Sequence, residues 1–227
     1  MAQDNWYSNR IAAYIYNEHL AREVERTLES IAEQLDLNGI AVIDGLLPSD
    51  VLKTLLQEAE WLQKSNRFHP ANVGRGTAEQ RISEVRGDGI LWLEKETLTP
   101  AQQHYFDFLE SLREHLSSYF RIALPWFECH LATYPEGSFY ARHLDQFRDA
   151  NSRIFSVILY LNPDWKTEHG GQLRIHDPNG SCDIQPEMGR FVCFRSDLVE
   201  HEVLRTERTR FSVTGWLRRD GPTRTFI

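Results

Sequence analysis

At 227 residues, with 41% hydrophobic and 26% charged side chains, the chain has the make-up of an ordinary globular protein long enough to bury a sizeable core. A formal charge of −8 disfavours non-specific binding to nucleic-acid phosphate, and no nucleic-acid partner is expected. No apolar run has the length of a membrane span, and Met1-Ala2-Gln3-Asp4-Asn5-Trp6 lacks the basic-then-apolar pattern of a signal peptide. The odd cysteine set (Cys129, Cys182, Cys193) has no Cys-x-x-Cys pair, so the expectation is the reducing cytoplasm, without a disulfide framework, zinc site or membrane partner.

In chain order, Val24, Leu28, Ile31 and Leu35 recur at helical spacing and stop at Asn38-Gly39. Residues 39–44 (GIAVID) read as a short buried strand. A second amphipathic helix follows Pro48-Ser49, with Leu52, Leu55, Leu56, Ala59 and Leu62 on one face. The stretch 65–88 has little periodicity, contains Gly and Arg, and is long for a loop, a profile typical of a functional lid or a disordered segment. Thr99-Pro100 caps a third helix, with Phe106, Leu109, Leu112 and Leu116 as its stripe. From Trp126 onward, short runs at 129–134, 139–143, 154–161, 172–175, 191–194 and 211–217 alternate with turn signals. Many short strands after a helical start predict a mainly β fold, a sandwich or barrel, with supporting N-terminal helices packed outside it. The division expected is 1–125 as helical support carrying strands and the loop at about 65–88, and 126–220 as the β core, together one structural unit.

The chemistry concentrates in His143-Leu144-Asp145, His201 and Arg210. Residues two apart on a strand point to one face, so His143 and Asp145 project together at the end of the 139–143 run. Two imidazoles and a carboxylate on one face of an octahedral ion leave three positions open, the arrangement of non-haem Fe(II) oxygenases. A lone His-x-Asp is common by chance, but here it coincides with a downstream His in a β-rich context. Arg210 heads the 210–214 run, where alternation puts it on one face with Ser212 and Thr214. A guanidinium aimed into a barrel needs a carboxylate partner, and the distal carboxylate of 2-oxoglutarate supplies one bidentately. Tyr134 and Tyr160 offer phenols to the same carboxylate, although core tyrosines commonly serve only packing. His19, His69, His104, His115, His130, His169 and His176 read as surface or ordinary structural residues.

Around these residues lie Tyr134-Pro135-Glu136-Gly137, Tyr140-Ala141-Arg142, Leu159-Tyr160-Leu161-Asn162 with Trp165, Gly170-Gly171 with Leu173-Arg174, and His201-Glu202-Val203. Upstream stand Val85-Arg86-Gly87-Asp88 and Trp92-Leu93-Glu94. This set, from about Gly39 to Trp216, resembles the Egl-nine (hypoxia-inducible-factor) type of prolyl 4-hydroxylases within the Fe(II)/2-oxoglutarate dioxygenases, in a compact stand-alone bacterial form. The resemblance implies a double-stranded β-helix (jelly roll), with Fe(II) on His143, Asp145 and His201. It implies 2-oxoglutarate held by Arg210, Tyr160 and Thr214 in a pocket lined by Tyr134 and Leu173, with dioxygen as co-substrate and ascorbate as reductant. It also implies that the 65–88 stretch closes over the target proline and that Arg86, Trp92, Tyr140, Arg153 and Trp216 contact a protein substrate. The chain ends soon after Trp216, so the contacts that a longer C-terminal segment makes in animal relatives are not expected.

The activity implied is hydroxylation of a proline at C4 in a protein, with 2-oxoglutarate decarboxylated to succinate and no catalytic residue beyond the metal ligands. An elongation factor of the Tu type is the candidate substrate, and oxygen sensing the implied role. Two other readings stay open: an oxygenase of a small molecule, free amino acid or nucleobase, and a non-catalytic jelly-roll sensor or binding protein. Loss of a ligand or of Arg210 is the signature of the last, and all four residues are present.

Overall fold

A computed structural model describes residues 21–71, 85–146, 152–178 and 180–221. Its helices are α1 (described over residues 21–38), α2 (Ser49–Lys64) and α3 (Pro100–Tyr119). A seven-stranded sheet takes the order β1 (Ile40–Ile43), β9 (Phe191–Arg195), β6 (Arg153–Tyr160), β11 (Arg210–Arg218), β4 (Trp126–Tyr134), β3 (Gly89–Trp92), β2 (His69–Pro70). A four-stranded sheet takes β5 (Tyr140–His143), β10 (Glu200–Val203), β7 (Leu173–Asp177), β8 (Gly180–Ile184). All strand pairs are antiparallel. The architecture is the expected jelly roll with helices on the outer face of its larger sheet.

Strand alternation divides the apolar residues into two cores. Phe211, Val213 and Leu217 of β11 join Leu131 and Cys129 of β4 beneath the helices, where Ile31, Leu35, Leu55, Leu109 and Leu112 cover them. The opposite face of the same strands presents Ala132, Tyr134, Ile158 and Tyr160 to Leu173, Val199 and Val203 from the smaller-sheet side. α3 begins with a capping box, in which the Thr99 hydroxyl accepts from the Gln102 backbone N–H and the Gln102 side-chain Oε1 accepts from the Thr99 N–H. Gln102 also donates to Glu58 at 2.9 Å, tying α3 to α2.

The structure departs from the sequence expectations at a few elements. Val24 opens the α1 stripe but stays exposed. The 65–88 stretch is not wholly loop, because His69 and Pro70 form β2 against Ile90 and Gly89. A two-residue strand carrying proline has no period to detect. β3 and β8 were likewise not expected; β8 (GSCDI) is an edge strand exposed at its first four residues, so it lacks an apolar alternation. Residues 72–84, the bulk of the expected lid, lie outside the described residues.

Gly170 shows a strict backbone requirement. Its φ of 65° and ψ of −152° suit glycine alone, and a Cβ there would overlap the Arg205 carbonyl oxygen. Gly170→Ala is expected to lower stability by at least about 2 kcal/mol, read from the denaturant midpoint. An unchanged midpoint would refute this account of the turn.

Candidate metal centre

β5 and β10 bring the distant ligands together. His143 and His201 are direct partners across the two strands, so pairing closes the long gap in sequence. The register shifts just past His201, a bulge of the kind that re-aims side chains beside active sites. Asp145 lies two residues past the end of β5 and is buried. One donor atom from each of His143, Asp145 and His201 lies within 4.8 Å of the others, and this is the metal-competent His/Cys/Asp/Glu group found among the described residues.

The imidazole orientations fit metal binding. His143 Nδ1 lies 2.7 Å from the Ala141 carbonyl and His201 Nδ1 3.0 Å from the Val199 carbonyl. A carbonyl only accepts, so both Nδ1 atoms carry the proton and both Nε2 lone pairs face inward. Those Nε2 atoms stand 3.4 and 3.8 Å from the two Asp145 oxygens. Burial pushes His201 down to about 4, against the opposing pull of Asp145, so its ring is neutral and able to ligate. Burial would raise the Asp145 carboxyl, but the side chains around it, the Arg153 guanidinium among them, outweigh burial and hold the group well below the usual carboxylate range. Two imidazoles with Nε2 turned inward and a buried carboxylate, with no thiolate, make a donor set suited to Fe(II).

The anion site is built around Arg210 of β11. Arg210 is 1% exposed and pairs in register with Tyr134, while Ser212 pairs with Tyr160. Its guanidinium lies 4.9 Å from each tyrosine ring centroid. Among the described residues no carboxylate makes an ion pair with Arg210, and neither Arg210 Nε nor Tyr160 Oη has a hydrogen-bond partner. Burial raises the Tyr160 phenol despite the nearby Arg210 charge, so it stays a donor. A buried, unmatched guanidinium beside an unmatched phenol calls for an anionic ligand. Thr214 follows on the same face, with its hydroxyl 3.3 Å from that of Ser212. Leu173 is fully buried in the same cluster as Tyr134 and Tyr160. Gly171 lets the chain pass Arg210 closely, since a Cβ there would sit 3.1 Å from Arg210 Cδ.

The other expected site residues form two groups. In the first, Tyr140 stacks on His143 at 3.7 Å, and Arg86 lies 4.2 Å from the Tyr140 ring centroid while held by Asp88 at 2.7 and 2.6 Å. In the second, Arg153 lies 3.4 Å from the Trp216 ring centroid and pairs with Glu128, and Trp92 stands 6.3 Å from Trp216. His130, read from sequence as ordinary, packs its ring at 4.9 Å against Trp92. Sequence reasoning missed Ser156 and Ser196, whose hydroxyls lead to Asp145, and Glu128, which braces Arg153. The signal for Ser156 was a serine set among the apolar residues 154–159. Asn162 was also overlooked as a clamp: it accepts from the Phe211 N–H and donates to the Phe211 and Pro186 carbonyls, fixing the chain next to Arg210.

A jelly roll carrying a His-Asp-His triad with an arginine-lined anion pocket defines the non-haem iron oxygenases that use 2-oxoglutarate. Residues 129–218 match the family model of the 2OG-Fe(II) oxygenase superfamily. The crystal structure of a Pseudomonas putida prolyl-4-hydroxylase is 35% identical, with a TM-score of 0.78, over 86% of this chain and 100% of that one. A Trichoplax adhaerens prolyl hydroxylase, solved with a peptide fragment of the hypoxia-inducible factor oxygen degradation domain, is 27% identical with a TM-score of 0.76 over 88% and 92%. The hypoxia-inducible factor prolyl hydroxylase of Caenorhabditis elegans is 27% identical over 92% of this chain, which spans 30% of that relative's length. The chain belongs to the prolyl 4-hydroxylase family of the 2-oxoglutarate–Fe(II) oxygenases. No helix among the described residues is long and apolar enough to cross a membrane.

Proposed function

We propose that the chain hydroxylates a proline residue within a protein segment, using Fe(II), 2-oxoglutarate and dioxygen, with ascorbate keeping the iron reduced. The observation that carries the co-substrate is Arg210, buried between the Tyr134 and Tyr160 rings with no carboxylate ion pair among the described residues. When bound, the iron and 2-oxoglutarate supply oxidative decarboxylation to succinate and carbon dioxide, coupled to transfer of one oxygen atom to a C–H bond. His143, Asp145 and His201 hold the metal on one face. Arg210, Tyr160 and Thr214 grip the distal carboxylate, while Tyr134 and Leu173 wall the pocket and exclude water. Arg86, Trp92, Tyr140, Arg153 and Trp216 contact the protein substrate, their aromatic faces and guanidinium groups suiting a proline ring and its peptide carbonyls.

An elongation factor of the Tu type is the proposed substrate, the cytoplasm the proposed setting, and oxygen-linked control the proposed role. The named relatives support a protein rather than a small-molecule substrate. The test compares succinate release with a proline-containing peptide and with free proline. The expected result is turnover on the peptide alone. Turnover on free proline alone would assign the site to small-molecule oxidation.

A further inference from the structure

A short hydrogen bond holds the carboxylate ligand of the centre from behind. Ser156 in β6 donates its hydroxyl to Asp145 Oδ2 at 2.6 Å, and its oxygen lies 2.8 Å from Ser196 Oγ. Both serines are fully buried. A hydroxyl has one hydrogen, and that of Ser156 goes to the carboxylate, so Ser196 donates to Ser156. The result is a directed chain from Ser196 through Ser156 to the carboxylate ligand. Its far end is fixed by the backbone, since the Ser196 N–H donates to Ile154 at 3.0 Å and the Ser196 carbonyl accepts from the Gln146 N–H at 3.1 Å. Gln146 directly follows Asp145, so Ser196 braces the ligand through both side chain and main chain. A hydroxyl–carboxylate bond this short is among the strong, charge-assisted ones.

We propose that Ser156, oriented by Ser196, is a positioning residue that restrains Asp145 to a single metal bond by occupying its other oxygen. The proposal rests on the oxygenase reading. An octahedral ion with three protein bonds has three positions left, enough for a chelating 2-oxoglutarate and dioxygen. A carboxylate freed to bind through both oxygens would take the last of these. Ser156 thus keeps the open position open.

The test is anaerobic Fe(II) titration of the full chain, with Co(II) absorption as a probe of coordination. Loss of an outer partner of a metal ligand weakens binding by about 10–100-fold, and that loss is expected for Ser156→Ala together with an altered Co(II) spectrum. Ser156→Thr keeps the hydroxyl and is expected to restore both properties. Ser196→Ala removes only the orienting donor and is expected to fall between. Thermal unfolding of each metal-free variant identifies those that fold. A folded Ser156→Ala chain with wild-type Fe(II) affinity and Co(II) spectrum overturns the proposal; should that variant not fold, wild-type behaviour of Ser196→Ala does so. A wild-type chain that binds no Fe(II) overturns the oxygenase reading instead.

Discussion

His201→Ala is expected to leave a folded chain that retains no iron and forms no succinate. His201 contributes one of three ligands and is the cross-strand partner of another. Outer-shell substitutions already cost about 10–100-fold in metal affinity, so removal of a direct ligand should exceed about 100-fold. The fold should survive because the β5–β10 pairing uses backbone bonds, and the ring's loss leaves only a small cavity beside Phe194, whose centroid lies 4.7 Å away. Metal analysis after dialysis and a succinate assay read the two effects together. Stoichiometric iron in the variant would show that the triad is not the metal site.

Arg210→Met is expected to separate stability from function. The wild-type guanidinium is buried without a carboxylate partner among the described residues, which costs stability in the ligand-free protein. A methionine of similar volume, between the Tyr134 and Tyr160 rings, should leave the melting temperature of ligand-free protein unchanged or higher. Affinity for 2-oxoglutarate should fall steeply, because truncating one member of a buried charge pair costs about 2–5 kcal/mol, or roughly 30- to several-thousand-fold. Arg210→Lys should recover little of it, since an ammonium cannot reproduce the two parallel bonds of a guanidinium. Calorimetric titration of 2-oxoglutarate into each variant checks the affinities. Tight binding by Arg210→Met would place the distal carboxylate elsewhere.

Much of this centre is legible in the sequence because its chemistry demands particular residues at short spacing. His143 and Asp145 two apart, and Arg210 alternating with Ser212 and Thr214, follow from strand geometry alone. The helices are legible for a similar reason: Leu52, Leu55 and Ala59, or Leu109, Leu112 and Leu116, mark buried faces at helical period. What escaped depends on register between distant strands. Nothing local announces that His143 faces His201, or that Ser156 of β6 comes within reach of both Asp145 and Ser196. The Arg153–Glu128 pair and the Asn162 clamp on Phe211 are likewise products of tertiary pairing. Short or exposed strands such as β2 and β8 carry too little apolar pattern to be seen. The resemblance contributed the Arg86–Tyr140 and Arg153–Trp216 groups, which residue spacing alone did not bring together.

The measurement closest to the central claim is intact and peptide mass of an elongation factor of the Tu type after incubation with the chain, Fe(II), 2-oxoglutarate and ascorbate under ¹⁸O-labelled dioxygen. The account predicts one labelled oxygen on a proline ring, absent when 2-oxoglutarate is withheld and absent with Arg210→Met. Labelled oxygen on a residue other than proline, or none on any prolyl residue of that protein or of a proline peptide set while iron and 2-oxoglutarate bind normally, would contradict it.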